Sequence, residues 1–287
     1  LECGGEYHFN SKVIDFLLKD NCVYGVKLAD GSTLEAKSVI LACGHSAREI
    51  YELFANKSWA IEAKPFAMGV RVEHSQELIN KVQYNSEHYS KLLPAASYSL
   101  THNVGNRGVF SFCMCPGGMI IPSSTEKGQL VVNGMSSSLR NSLFANSGIV
   151  VSITEADATK FASEGALSLM RFQQECERKM YIDKQIAPAQ RIGDFMANRT
   201  SQNLCRSSYP SGLHACNMNE FLPKIVSDTL QQGFAVFDRK IAGFVSNDAL
   251  MIGLEARTSS PVRIPRDKDS MQHIQLKNLY PCGEGAG

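Results

Sequence analysis

Four groups of residues have types and spacings that could do chemistry. Cys113-Met114-Cys115 sets two thiols two positions apart, and in a strand such positions share one face. They could serve as structural thiols or as a redox pair. A metal site would need two further ligands, and no CxxC or HxxxH partner stands nearby. The stretch Glu255-Ala256-Arg257-Thr258-Ser259-Ser260-Pro261-Val262-Arg263 places two arginines and three hydroxyls around a proline. Arginine donates in a rigid fork and hydroxyls donate or accept, so this loop suits an anionic group or a planar polar ring. The plainer alternative is a solvated surface turn. His45 follows Gly44 at the start of a predicted helix. It could move a proton near neutral pH or simply make a structural hydrogen bond in the first turn. Gly283-Glu284-Gly285-Ala286-Gly287 follows an apolar stretch, and a glycine cluster after a strand normally leads into a helix.

The elements that must position these groups are partly legible. Residues 7–18 and 23–28 read as strands. Ala29-Asp30-Gly31-Ser32 carries the Asp-Gly hairpin signal, and 33–36 is the return strand. Residues 38–42 form a continuous apolar run, as expected for a strand covered on both faces, and 45–54 has helical spacing. A strand, a glycine and a helix make the usual cradle for a phosphate, because the glycine lets a ligand approach and the helix start offers N–H groups. Gly44 equally well merely ends the strand, and local sequence leaves both readings standing. Further on, 66–72, 108–115, 119–122 and 129–133 read as strands and 75–82 as a short helix. Thr154 caps a possible helix start at Glu155. Helices are predicted over 164–180 and 221–238, with 188–206 polar and irregular between them. Residues 249–254 and 276–281 return to strand.

The 287 residues, 31.5 kDa in mass, bound the possibilities. With 44% hydrophobic and 20% charged residues and a mean hydropathy of -0.15, the chain can bury a core and is neither disordered nor low-complexity. Lys plus Arg total 29 against 28 Asp plus Glu, a net charge of +1. This lacks the basic excess of a nucleic-acid binder. No apolar run approaches the ~20 residues of a membrane span. The nine cysteines, at 3, 22, 43, 113, 115, 176, 205, 216 and 282, are odd in number, irregularly spaced and unaccompanied by a secretory segment. Reduced thiols in a cytoplasmic protein are therefore expected.

Several segments, taken in order, resemble a known family. Val39-Ile40-Leu41-Ala42-Cys43-Gly44-His45-Ser46-Ala47-Arg48 is similar to the "ATGHSAR" segment of an FAD-dependent dehydrogenase family among the two-dinucleotide-binding-domain, glutathione reductase-like flavoproteins. Lys64-Pro65-Phe66-Ala67-Met68-Gly69-Val70-Arg71-Val72-Glu73-His74 looks like its next signature. Phe112-Cys113-Met114-Cys115-Pro116-Gly117-Gly118, Asn133-Gly134-Met135-Ser136, Ala187-Pro188-Ala189-Gln190, the stretch 255–263, and Tyr280-Pro281-Cys282 with the terminal glycines complete the set. The matches run across nearly the whole chain. One departure is Cys43, where the family more often has Thr.

The resemblance implies an α/β fold: part of a Rossmann-like FAD-binding domain interrupted by an inserted mixed α+β substrate domain. The expected boundaries are 1–58 and 248–287 for the FAD-binding part and 59–247 for the insertion. It also implies a flavin-mediated hydride transfer with a small-molecule substrate, the reductant being NADH, NADPH or another donor. Val13 falls where such proteins touch adenine through the backbone. Ala42, Cys43 and Gly44 form the turn under the cofactor. Gly283 and Glu284 fall where the ribityl chain and pyrophosphate edge are held, and the N–H groups of Gly285, Ala286 and Gly287 would face phosphate. Arg257, Thr258, Ser259, Ser260 and Arg263 are the first choices for the reacting face, with Cys113 and Cys115 next and His45 as acid or base. No GxGxxG followed by a helix occurs in the chain. The resemblance places that segment before Leu1 and a closing helix after Gly287, so the 287 residues are expected to be trimmed at both ends and not to hold FAD tightly by themselves. The competing readings are a cofactor-free recognition or interaction module and a thiol-redox protein using Cys113 and Cys115.

Overall fold

The computed structural model describes residues 3–86 and 93–286. In chain order the strands are β1 (Val13–Lys19), β2 (Cys22–Leu28), β3 (Thr33–Glu35), β4 (Val39–Leu41), β5 (Glu62–Ala63), β6 (Phe66–Ser75), β7 (Thr101–Val104), β8 (Arg107–Cys115), β9 (Gly118–Pro122), β10 (Val132–Ser136), β11 (Phe144–Ile153), β12 (Ala187–Arg191), β13 (Leu213–Ala215), β14 (Leu250–Glu255), β15 (Val262–Arg263) and β16 (Leu279–Pro281). The α-helices are α1 (Arg48–Asn56), α2 (Gln76–Tyr84), α3 (Ser168–Met180), α4 (Ile192–Met196) and α5 (Lys224–Lys240). The chain is mixed α/β and divides into two units. A terminal unit comprises Leu1–Lys64, Thr159–Met170 and Ser260–Gly287, and a central unit comprises Pro65–Ala158 and Arg171–Ser259.

The terminal unit holds three small sheets. β1, β2 and β3 form an antiparallel meander, β5 pairs antiparallel with β15, and β4 pairs parallel with β16 in the register Val39↔Leu279 to Leu41↔Pro281. Its core joins Phe16, Val23, Leu41, Ile50, Tyr51, Phe54, Leu276 and Leu279. The α1 positions Ile50, Tyr51 and Phe54 are buried, the stripe that a helical period of 3.6 puts on one face. Phe54 meets Phe16, Trp59 and His273 edge-on, a favourable aromatic arrangement.

The central unit is built on a seven-stranded mixed sheet in the order β13-β12-β14-β6-β11-β8-β7. Only β12–β13 is parallel; the remaining pairs are antiparallel. β6 is buried along nine of its ten residues, as its apolar run predicts. It ladders with β11 without interruption from Phe144↔Ser75 to Ile153↔Phe66. α5 packs on β7, β8 and β11. At Gly233 an added Cβ would meet the Val109 methyls at 2.9 Å, so the helix lies closer than a larger residue would permit.

Several sequence expectations need correction. Residues 7–12 are not strand; β1 begins at Val13. The helix expected over 45–54 begins at Arg48, because Gly44 takes φ +72 and the chain turns before it can coil. The helix expected over 164–180 is 3-10 up to Leu167 and α-helical only from Ser168, with Gly165 at φ +54 in the 3-10 stretch. The region 188–206 is not simply irregular but contains β12 and α4. Pro188 argues against an interior strand because it cannot donate. Here the ladder to β14 begins one residue later, at Ala189. β11 was not legible because Asn146, Ser147 and Gly148 break its apolar pattern, yet all three are buried. Among the described residues no helix is long and apolar enough to cross a membrane.

Candidate functional site

In the terminal unit, the parallel strands β4 and β16 end side by side, with Cys282 N–H donating to the Leu41 carbonyl at 3.0 Å. Each then meets a glycine in the left-handed region, Gly44 at φ +72 and Gly283 at φ +82, a conformation that L-residues rarely adopt. The carboxyl ends of parallel strands are where open α/β sheets bind ligands. After Gly44 the chain enters α1, whose N-cap Ala47 brings no side-chain acceptor to the first turn. After Gly283 it makes a 3-10 turn over Glu284–Ala286.

Leu41, Cys43, Gly44, Tyr51, Ile264, Pro281, Cys282 and Gly285 line one small pocket. His45 Nδ1 lies 2.9 Å from Glu284 Oε2, and Lys64 Nζ donates to the Glu284 carbonyl at 3.0 Å. Buried Tyr51 meets Ser260 Oγ at 3.3 Å, and a Cβ on Gly285 would press on the Tyr51 hydroxyl at 2.6 Å. Burial pushes the Cys43 thiol and the Tyr51 phenol above their ordinary values, so both stay protonated at neutral pH.

The structure thus brings Cys43, Gly44, His45, Ser260, Gly283, Glu284 and Gly285 together, with Ala42 preceding Cys43 and Ala286 closing the turn. Gly287 lies outside the described residues. Val13 lines a separate crevice with Lys12, Glu49 and Leu53, where Lys12 pairs with Glu49 at 3.0 Å. Arg263 pairs with Glu62 across β15 and β5.

The remaining candidates lie in the central unit. Arg257 grips the buried Glu177 carboxylate with Nε and Nη2, both at 2.9 Å, and reaches Thr125 Oγ1 at 2.7 Å. Thr258 Oγ1 donates to the Ala67 carbonyl at 3.0 Å, and Ser259 is half-buried. Cys113 is exposed and Cys115 half-buried on β8.

Sequence reasoning missed the polar centre of this unit. Arg71 on β6 has no solvent exposure and pairs with Glu255 on β14 at 2.7 Å. Its Nη1 donates to the Cys113 carbonyl at 2.8 Å and to Asn146 Oδ1 at 2.9 Å, and its Nη2 donates to Asn133 Oδ1 at 3.2 Å. Burial pushes the Glu255 carboxyl up, and Arg71 opposes that shift. Asn146 Nδ2 is buried without a partner. Gly134 is required above this cluster, since a Cβ there would collide with Arg71 and Asn146. The available signal was a charge at 71 inside an apolar strand run.

Comparison with known proteins identifies the class. The model of the family described as "FAD-dependent protein, C-terminal domain-like" matches residues 65–258, and the chain belongs to this family. A protein of Clostridium beijerinckii (strain ATCC 51743 / NCIMB 8052), named only as an uncharacterized protein, is 41% identical over 291 residues. That alignment covers 99% of this chain and 54% of the relative, so the chain spans about half the relative's length. Looser overlaps occur with a Pseudomonas aeruginosa PqsL mutant (12% identity, 83% of this chain, 58% of that one, TM-score 0.25) and a tetracycline destructase (14%, 83% and 56%, TM-score 0.24). TM-scores at this level define no common fold.

Proposed function

We propose that the protein carrying this chain is an FAD-dependent oxidoreductase acting on a small molecule, with the ends of β4 and β16 forming part of its cofactor site. Family membership supports the flavin. The observation that carries the placement is the pair of parallel strands that both end on positive-φ glycines beside the start of α1. The residues fit such a group. Gly44 and Gly283 have open space where a Cβ would stand, so a ligand can approach the backbone there. The α1 N-terminus favours negative charge, as phosphate requires.

In this reading Ala42, Cys43 and Gly44 support the cofactor from below. Glu284 accepts from its hydroxyls, held in place by His45 and by Lys64 on its carbonyl. The Gly285 N–H faces phosphate, while that of Ala286 donates to the Gly283 carbonyl at 3.1 Å and holds the turn, and Val13 meets the adenine. When bound, FAD supplies two-electron hydride chemistry. The candidates for orienting the reacting groups are His45, Ser260 and Arg263 in the terminal unit and Arg257, Thr258 and Ser259 after β14. The Glu177 carboxylate fixes the Arg257 fork in one direction. That the terminal unit takes in both ends of the chain, 1–64 and 260–287, and the central unit most of its middle supports a Rossmann-like domain interrupted by a substrate domain, with boundaries shifted from the expected 58 and 248 because β14 pairs within the central sheet.

The test is FAD titration of the protein at the full length its gene encodes, followed by flavin fluorescence, with Gly44→Val beside the parent. Holding valine in the left-handed region costs about 1–2 kcal/mol. The turn then relaxes away from the ligand, and FAD affinity should fall about tenfold or more. Equal affinities would remove this turn from the cofactor site. Reduction of the bound flavin by NADH or NADPH, read as bleaching of its absorbance, assigns the donor.

A further inference from the structure

Cys113-Met114-Cys115 takes no part in the proposed cofactor site, yet its geometry is specific. On β11, Asn146 pairs with Cys115 and Gly148 with Phe112, so Ser147 alone opposes both Cys113 and Met114. This is a β-bulge, and Cys113 within it takes φ +43, a region unfavourable to a residue with a side chain. The bulge persists because Arg71 Nη1 holds the Cys113 carbonyl at 2.8 Å, and Arg71 is itself anchored by Glu255, Asn146 and Asn133. The same guanidinium nitrogen lies 3.9 Å from Cys115 Sγ. Cys115 Sγ in turn donates to the Cys113 carbonyl at 3.3 Å, so the sulfur is folded back over residue 113. Cys113 is exposed. Positions two apart in a strand are separated by ~6.5–7 Å between Cα atoms, at the upper end of what a disulfide spans, roughly 4.4–6.8 Å.

We propose that Cys113 and Cys115 form a peroxide-oxidisable dithiol, a modification site carried by the central unit. The exposed Cys113 sulfur attacks a hydroperoxide, forming a sulfenic acid and releasing the peroxide's other oxygen as water or an alcohol. Cys115 Sγ then attacks Cys113 Sγ; the S–S bond forms, the S–OH bond breaks, and hydroxide leaves with the Cys115 proton as water. Two thiols lose two electrons and the peroxide gains them. Arg71 is the positioning residue, since it holds both the bulge carbonyl and the second sulfur.

The test uses the reduced, purified protein and one equivalent of hydrogen peroxide, followed by alkylation and peptide mass spectrometry. The peptide spanning both cysteines should become two hydrogens lighter and resist alkylation at least about tenfold faster than the exposed Cys3 thiol is lost. Cys115→Ser should stop the reaction at a sulfenic acid on residue 113 that dimedone captures, and Cys113→Ser should leave Cys115 alkylatable. The proposal is overturned if Cys113 oxidises no faster than Cys3, if either cysteine bonds to a third, or if Cys115→Ser yields no dimedone adduct at 113.

Discussion

At the residue scale, Arg71 and Glu255 decide the character of the central unit. Both side chains are essentially without solvent exposure, and a buried charge is tolerated only when paired and hydrogen-bonded. Removing one partner strands the other. We therefore expect Glu255→Gln to lower the urea stability of this unit by about 3–5 kcal/mol, read as an earlier unfolding midpoint at unchanged slope. A loss under half a kilocalorie would show that the pair is not formed. Only half of this arrangement was legible beforehand. A charge at 71 between Val70 and Val72 is anomalous in an apolar strand, but its partner lies 184 positions away, and no spacing rule connects them. The glycine turns were the opposite case. Gly44 and Gly283 stood out at once, but only the parallel pairing of β4 with β16 shows that they belong to one place.

At the scale of elements, β6 is the strand on which the central sheet depends, and it also carries a titratable liability. His74, fully buried, donates through Nε2–H to the Phe244 carbonyl, 2.9 Å away. Burial pulls its pKa down to about 4, against weaker opposing effects from Phe244 and Asp238. The unfolded chain therefore binds a proton between pH 6.5 and 4 that the folded one refuses. Stability from this group is complete above pH 6.5 and is lost as pH falls toward 4, by up to about 3 kcal/mol. Urea melts across that range should show the decline, and His74→Gln should flatten it. An identical slope in the variant would remove His74 as the cause. Gly69 on the same strand sits where a Cβ would strike the Ile149 carbonyl of β11. Gly69→Ala should cost about 1–3 kcal/mol by overpacking, whereas an unchanged melting temperature would mean the ladder yields freely. β6 was easy to read from its apolar run. β11 and β12 were not, because buried Asn146 and Ser147 and the in-strand Pro188 mimic loop chemistry, and tertiary partners supply what local propensity lacks.

At the scale of the whole molecule, the family assignment and the glycine-ended strand pair lead to the same reading. Residues 65–258 match a family of FAD-dependent proteins, and the terminal unit ends two parallel strands on the positive-φ glycines on which the proposed cofactor site rests. The ordered series of short motifs made the family legible from sequence. The discontinuous build of the units was expected from the order of the predicted elements and from that resemblance, but no local pattern reports that residues 39–41 pair with 279–281. The proposed role requires that this protein bind flavin. The most direct measurement is the visible absorption spectrum of the protein purified at the full length its gene encodes, before and after dialysis against FAD. We expect a yellow protein with about one flavin per chain, released on denaturation. A colourless protein that takes up no FAD on dialysis would contradict it.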